Sequence, residues 1–177
     1  MRAPDLQELA DCEALRRLVT AYSRAIDRRD FALLRSLYHD DARDHHGAAF
    51  DGGIDAYVDH VRSALSAYDA TAHYVLQTAF VIEGDLAEGE VHKINWHRTH
   101  GPDAEDVTTG SRSLDHYARR DGEWRFLSRR IVNDWTRRQR VGGGAVDPSL
   151  APGGRAGPDD PSFQALTRFP PHSGSTQ

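Results

Sequence analysis

The segment "HYARRDGEWRFLSRRIV", His116 to Val132, decides the fold. Asp121 and Gly122 lie at its centre and form a strong hairpin signal, because both central residues of a type I′ turn need a positive φ. Aromatic and β-branched residues, which favour strands, flank this pair on both sides. The segment therefore predicts two long antiparallel strands that are direct neighbours.

Two earlier segments have the same strand-like composition. They are "TAHYVLQTAFVIEG" (71–84) and "GEVHKINWHRTH" (89–100). With "TTGSRSLDHYARR" (108–120) and "EWRFLSRRIVNDW" (123–135), they predict four strands separated by polar or glycine-containing breaks.

The residues before Thr71 follow the helical period instead. Asp5 and Glu8 have the spacing of a capping box at the start of a first helix. Asp30 is predicted to cap a second, short helix. The apolar positions of these two helices are Leu6, Leu9, Leu15, Leu18, Tyr22 and Ile26, then Phe31, Leu34, Leu37 and Tyr38. After a predicted polar loop over residues 39–53, Ile54, Tyr57, Val58, Val61 and Leu65 predict a third helix that ends near Tyr68.

These elements predict an α+β fold in which three N-terminal helices cover one face of a curved antiparallel sheet. Such a cone leaves a pocket between the helices and the sheet. Residues 1–140 form the predicted domain. Residues 141–177 are rich in Gly, Pro, Ser and Asp and are expected to form a flexible tail or one draped on a neighbour, with Phe163, Leu166 and Phe169 as anchors.

The composition argues against several classes of protein. Twenty-two basic and 27 acidic residues are interspersed, with a net charge of −5, so the sequence shows no basic patch for nucleic acid. No apolar run is long enough to span a membrane. A single cysteine, Cys12, and an N-terminal segment without the apolar core of a signal peptide lead us to expect a cytoplasmic protein.

One carboxylate lies at an unexpected place. Asp27 follows Ile26 at the end of the first predicted helix, beside the apolar face. Among ten histidines, His73 at the start of the first long strand is best placed to pair with it. A carboxylate beside an imidazole fixes its tautomer and makes it a competent general base. A structural role, with Asp27 paired to Arg28 or Arg29, explains the same pattern, and alternation alone does not decide which face of the strand His73 occupies.

Several segments together resemble a known family. They are "AYSRAIDRRD" (21–30), "LYHDDA" (37–42), "DGGIDAYVDHV" (51–61), "HYVLQT" (73–78) and the hairpin at 116–132. Over residues 5–136 their order resembles the SnoaL-like group of the nuclear transport factor 2 superfamily. It looks like the branch of this group that contains scytalone dehydratase, hexachlorocyclohexane dehydrochlorinase and bile-acid 7α-dehydratase. The resemblance implies the cystatin-like cone fold.

The resemblance also implies a catalytic site. The aspartate and histidine of the family's dyad match Asp27 and His73. A functional residue five positions before the aspartate matches Tyr22, although a core aromatic explains that position equally well, and an arginine on the last strand matches Arg129, with Arg130 one residue away on the opposite face. The second long strand departs from the family, because Asn95, Trp96 and His97 include no acid.

The remaining candidate site residues are aromatic substrate contacts and potential metal ligands. Tyr38, Phe50, Tyr57 and Trp96 are predicted to line the pocket and contact the substrate, although core packing explains them as well. The histidines and aspartates of residues 39–46 have the composition of a metal site but not the spacing of a zinc site, so no metal or other cofactor is expected.

The expected activity is that of a cofactor-independent lyase. His73 would remove a proton from an acidic carbon, and water would leave a hydroxylated cyclic molecule such as a polyketide, steroid or aromatic precursor. A ketosteroid-isomerase-like isomerase, a non-catalytic binding or assembly module, and the small subunit of a ring dioxygenase are the alternatives. A homodimer is expected, with a homotrimer as the other possibility.

Overall fold

A computed structural model describes residues 2–141 and 152–169 of the protein. The helices are α1 (Leu6–Asp27), α2 (Phe31–Ser36), α3 (Ile54–Leu65) and α4 (Pro161–Ala165). The strands are β1 (Tyr38–His45), β2 (Asp51–Gly53), β3 (Tyr68–Glu83), β4 (Leu86–Thr99), β5 (Glu105–Arg120) and β6 (Glu123–Arg140). None of the described helices is long and apolar enough to cross a membrane.

The six strands form one sheet in the order β2-β1-β6-β5-β4-β3. The four long strands are antiparallel to their neighbours, as predicted. The sheet is curved and unclosed, and the N-terminal helices pack on it, so the predicted α+β cone is confirmed. One pair departs from the antiparallel pattern, because β1 runs parallel to β6.

The central hairpin forms as its sequence predicts. Asp121 and Gly122 have φ values of 54° and 81°, both positive, as a type I′ turn requires. Arg120 and Glu123 on either side are paired across the ladder.

The prediction of a loop over residues 39–53 is wrong. This segment contains β1 and β2, and Tyr38 begins β1 instead of ending the second helix. The strand is polar because its charged side chains have partners elsewhere in the fold. Asp40 is paired with Arg35, and Asp41 with Arg120. A strand of this kind has no alternation of apolar and polar residues, so it cannot be predicted from such a pattern.

The caps of the first two helices form as predicted. Asp5 Oδ1 accepts a hydrogen bond from Glu8 N at 2.9 Å, and Asp30 Oδ1 accepts one from Leu33 N at 3.0 Å. The predicted apolar face of α1 is wrong in its first turns, where Leu6 and Leu9 are exposed. This end of the helix is attached by polar contacts instead, because Asp11 accepts hydrogen bonds from the side chains of Trp124 and Arg119.

The core lies between the helices and the covered face of the sheet. Leu15, Val19, Leu34, Ile54 and Phe126 are among its most deeply buried members. Because these side chains fill only part of the cone, the space between α1, α3 and the strands remains available for a cavity.

The described part of the C-terminal segment packs against α1. The Arg24 guanidinium lies 5.0 Å from the Phe163 ring centroid and 4.9 Å from that of Phe169, and Arg28 pairs with Asp160 at 3.2 Å. Residues 142–151 and 170–177 of the predicted tail lie outside the described residues.

Candidate active site

A cavity of about 320 Å³ lies between α1, α3 and the covered face of the sheet. Its wall combines apolar helix residues with polar strand residues. The lining side chains are Tyr22, Ile26, His46, Tyr57, His60, Val61, Ala64, Leu65, Tyr68, His73, Lys93, Asn95, His97, Thr109, Ser111, Ile131 and Asn133. A cavity whose wall combines apolar side chains with several converging polar groups is typical of a small-molecule site.

The structure brings Asp27 and His73 together. His73 Nδ1 lies 2.7 Å from Asp27 Oδ1, and the His73 backbone N–H donates to Asp27 Oδ2 at 2.9 Å. Asp27 ends α1 and His73 lies near the start of β3, so the contact joins the helix layer to the sheet. Because the carboxylate accepts from Nδ1, the imidazole lone pair is on Nε2, which is the arrangement that a general base needs.

Two further residues hold the carboxylate in place. Thr71 Oγ1 donates to Asp27 Oδ1 at 3.0 Å, and Arg29 Nη1 in turn donates to Thr71 Oγ1 at 3.0 Å. Arg29 has a φ of 56°, in the left-handed region, at the turn that follows α1. The sequence pattern suggested Arg29 only as a partner of Asp27 and gave no signal for Thr71.

His97 lies beside the pair. Its ring meets that of His73 edge to face, with 5.2 Å between centroids. Burial, and then the neighbouring His73, lower the pKa of His97 to about 4. His97 is therefore neutral at physiological pH and serves as an uncharged hydrogen-bonding group in the cavity.

Tyr22 and Tyr57 both line the cavity, and their hydroxyl oxygens are 2.5 Å apart. Burial raises the pKa of Tyr22 to about 12, and it raises that of Tyr57 well above the usual value. Both hydroxyls therefore keep their protons, and the pair can donate a hydrogen bond to a substrate oxygen.

Arg129 does not reach the cavity wall. It is fully buried and forms a two-point ion pair with Asp115, with distances of 2.8 and 2.9 Å. Its guanidinium lies 4.0 Å from the Tyr22 ring centroid. Arg130 is exposed and lies on the opposite face, as predicted. Arg129 is thus placed to support Tyr22 and not to contact a substrate directly.

Three of the predicted aromatic residues also lie outside the lining. Tyr38 is buried behind it and donates to Asp44 Oδ2 at 2.7 Å. Phe50 packs against Tyr57, with 5.4 Å between centroids. Trp96 alternates with Asn95 along β4 and therefore lies on the other face of the sheet. Of the four predicted substrate contacts, the cavity contains Tyr57.

The sequence analysis also missed polar groups in the cavity. Lys93 and Asn95 project from β4 into it. Asn95 Nδ2 donates to Ser111 Oγ at 2.8 Å, whereas its Oδ1 is buried without a partner among the described residues. On the other side of the cavity, His46 Nε2 lies 2.8 Å from Asp44 Oδ1.

The described residues contain no group of three or more His, Cys, Asp or Glu arranged to hold a metal ion. The acidic residues of β1 are paired with arginines or, for Asp44, with Tyr38 and His46. The polar wall of the cavity therefore consists of proton-transfer and hydrogen-bonding groups.

The cone and this cavity define a protein of the nuclear transport factor 2 superfamily with a small-molecule site. A family model described as a SnoaL-like domain matches residues 7–130. The chain belongs to this family.

Solved structures share the fold at low sequence identity. A type 2 hexachlorocyclohexane dehydrochlorinase (LinA) is 20% identical with a TM-score of 0.73, covering 81% of this chain and 99% of its own. A putative scytalone dehydratase from Novosphingobium aromaticivorans is 21% identical with a TM-score of 0.67, covering 77% and 96%. The Kfla4162 protein from Kribbella flavida is 18% identical with a TM-score of 0.66, covering 72% and 93%. A comparison with curated proteins finds no match.

Proposed function

We propose that the protein is a lyase that eliminates water from a hydroxylated cyclic molecule with an acidic C–H bond. The observation that carries this proposal is the hydrogen bond between Asp27 and His73 at the wall of the cavity. The side chains of His73 and Asp27 are 11% and 13% exposed, so the pair is shielded but open to a bound molecule. Water exclusion strengthens electrostatic interactions within the site.

Each group has a distinct part in the elimination. His73 Nε2 takes the proton from carbon, and Asp27 holds the ring and stabilises the imidazolium that forms. The hydroxyl pair of Tyr22 and Tyr57 donates to the oxygen on which negative charge develops. Arg129 acts indirectly, because its charge lies behind the Tyr22 ring. The relatives' names support an eliminating enzyme but do not identify the substrate.

The test is a panel of cyclic hydroxy ketones, incubated with the protein and analysed for loss of water by mass spectrometry. We expect Asp27→Asn and His73→Gln to lower kcat by about 10²–10⁴-fold, the usual contribution of a general base. His92→Gln is the matched control, since His92 lies on the same sheet but projects from the opposite face of β4 from Lys93. Equal activity in all three variants would refute the assignment.

The same panel separates the alternatives. An isomerase would give a product of unchanged mass in which a double bond has moved. A binding module would show saturable binding without turnover in either the wild type or the variants. Deuterium exchange from solvent into the recovered ketone reports proton removal by His73 even where elimination does not follow.

The oligomeric state and the cytoplasmic location stay predictions. Tyr74, Leu76, Val81 and Leu86 are exposed apolar residues of β3 and β4. Such a surface supports the pairing of two copies of the chain. Light scattering measures the oligomeric state directly.

A further inference from the structure

Lys93 is the only lysine of the chain, because the other 21 of its 22 basic residues are arginines. It is also one of the least accessible charged residues, with 4% of its surface exposed. Its side chain lines the cavity, and no described residue accepts a hydrogen bond from its ammonium group. A charged amine on such a largely buried side chain is costly when no hydrogen-bond acceptor compensates it, so an amine in this position suggests a functional role.

The surroundings of Lys93 favour a neutral amine. Its Nζ lies 5.4 Å from the Tyr22 ring centroid, a contact that stabilises a cation and so partly opposes this tendency. Two carboxylates are near enough to attract it, but Asp115 is already paired with Arg129, and Asp44 with Tyr38. Burial, and then the positive charge of Arg129, lower the pKa of Lys93 to about 7. Desolvation next to another cation is one of the ways in which proteins activate lysine as a nucleophile.

We propose that the Lys93 amine forms a Schiff base with the carbonyl carbon of a β-hydroxy ketone or aldehyde, and that His73 then removes the proton from the adjacent carbon. This inference rests on the proposed function and names its substrate class. The register of the sheet supports it, because His73 is paired with Asn95, two residues from Lys93 on the same face. Diagonal neighbours of this kind have side chains within reach of one small molecule.

The chemistry balances with water as its only co-reactant. The neutral amine adds to the carbonyl carbon, and loss of water together with uptake of one proton from solvent leaves an iminium ion. His73 accepts the α-proton of the iminium ion, which gives an enamine. His73 then returns this proton to the β-hydroxyl group, and the enamine expels that group as water. Hydrolysis of the conjugated iminium ion releases an unsaturated ketone and restores Lys93. This final hydrolysis returns to solvent the proton that was taken up when the first iminium ion formed. The unpaired Asn95 Oδ1 is placed to accept a hydrogen bond from the hydroxyl group of the substrate.

The test uses cyclohexanone as the probe, with cyanoborohydride to reduce any imine that forms at neutral pH. We expect intact-protein mass spectrometry to show one cyclohexyl group, and peptide mapping to place it on Lys93. The N-terminal amine is the only other primary amine in the chain, and mapping separates the two. At pH 7 a lysine with a pKa near 7 has on the order of 10³ times more free amine than one with the usual pKa. Nα-acetyl-lysine amide, which has a free side-chain amine, is therefore added to the same tube as the internal reference. A labelling rate of Lys93 no higher than that of this reference would overturn the proposal.

Two variants complete the experiment. Lys93→Arg replaces the amine by a guanidinium group, which is not nucleophilic. Lys93→Met conserves the volume of the side chain if arginine is not accommodated. Both variants should lose the label at position 93. His73→Gln should keep the label and lose elimination, because imine formation does not require the base. Elimination without a label on Lys93 would refute the Schiff base and leave the proposed function standing. A label on Lys93, with turnover unaffected by His73→Gln, would instead refute the proposed function.

Discussion

Replacing Lys93 by methionine should stabilise the protein in a pH-dependent way. In the unfolded chain the lysine has its ordinary pKa of 10.5, whereas in the fold its pKa is about 7. Between these values the unfolded state binds more protons, so the stability of the wild type rises with pH. Below pH 7 the full penalty for holding a buried charge is present, and above 10.5 it is absent.

The structure sets the size of this effect. Each pH unit between the two pKa values contributes about 1.4 kcal/mol, and Lys93 is almost completely buried, so screening by solvent is small. The pH-dependent part of the gain in unfolding free energy of Lys93→Met over the wild type should therefore approach about 5 kcal/mol below pH 7. This pH-dependent gain should vanish when the pH reaches the pKa of a lysine in the unfolded chain.

Urea denaturation of both proteins from about pH 6 to about pH 10.5 measures this difference directly. Arg130→Met is the matched control, because Arg130 is an exposed cation on the opposite face of the sheet and should give a small, constant difference. A difference between Lys93→Met and the wild type that does not change with pH, or a wild type that is the more stable protein at pH 6, would refute the argument.

Three other changes in stability follow from single contacts. Arg129→Met should cost about 3–5 kcal/mol, because it leaves the charge of Asp115 buried without its partner. Asp5→Ala should cost about 1 kcal/mol by removing the acceptor for the Glu8 N–H. Gly122→Ala should cost about 1–2 kcal/mol, since the turn holds Gly122 at a φ of 81°. Urea denaturation at neutral pH measures all three.

Each of these changes has its own control. Arg130→Met should lower the stability much less than Arg129→Met does. Equal losses of stability in the two variants would contradict the importance of the buried ion pair. Asp5→Ser keeps a cap and should restore most of the stability. Gly122→Asn tolerates the left-handed region, so it should be less harmful than alanine. The reverse order would mean that the turn conformation does not determine the loss.

Local sequence accounts for most of the fold. The hairpin at Asp121 and Gly122, and the caps at Asp5 and Asp30, depend on residues close together in the chain, so their patterns were sufficient. The strand β1 was missed because its charged residues pair with arginines of other elements, such as Arg120 for Asp41. The strand β2 was missed because its three residues, one aspartate and two glycines, have low strand propensity.

The candidate site was predictable in part. Asp27 and His73 were identified by an unusual carboxylate and by the family resemblance, although 46 residues separate them in the chain. Lys93 was missed even though its signal was present in the composition, as the only lysine among many arginines. Trp96 was chosen and Asn95 left without a role, because both faces of β4 carry polar and aromatic residues and alternation cannot identify the inner face.

By itself, the sequence determined the three N-terminal helices, the four long strands and the residue types available for proton transfer, because propensities, caps and turns act over a few neighbouring residues. It did not predict α4, which lies in the segment expected to be a tail. Only the tertiary structure decided which of the residues available for proton transfer share a cavity. It buried Arg129 behind Tyr22, placed Trp96 on the opposite face of the sheet, and enclosed Lys93 where no described residue accepts a hydrogen bond from its amine. Those outcomes depend on strand register and helix packing, which bring together residues far apart in the chain and set the burial that gives each group its chemistry.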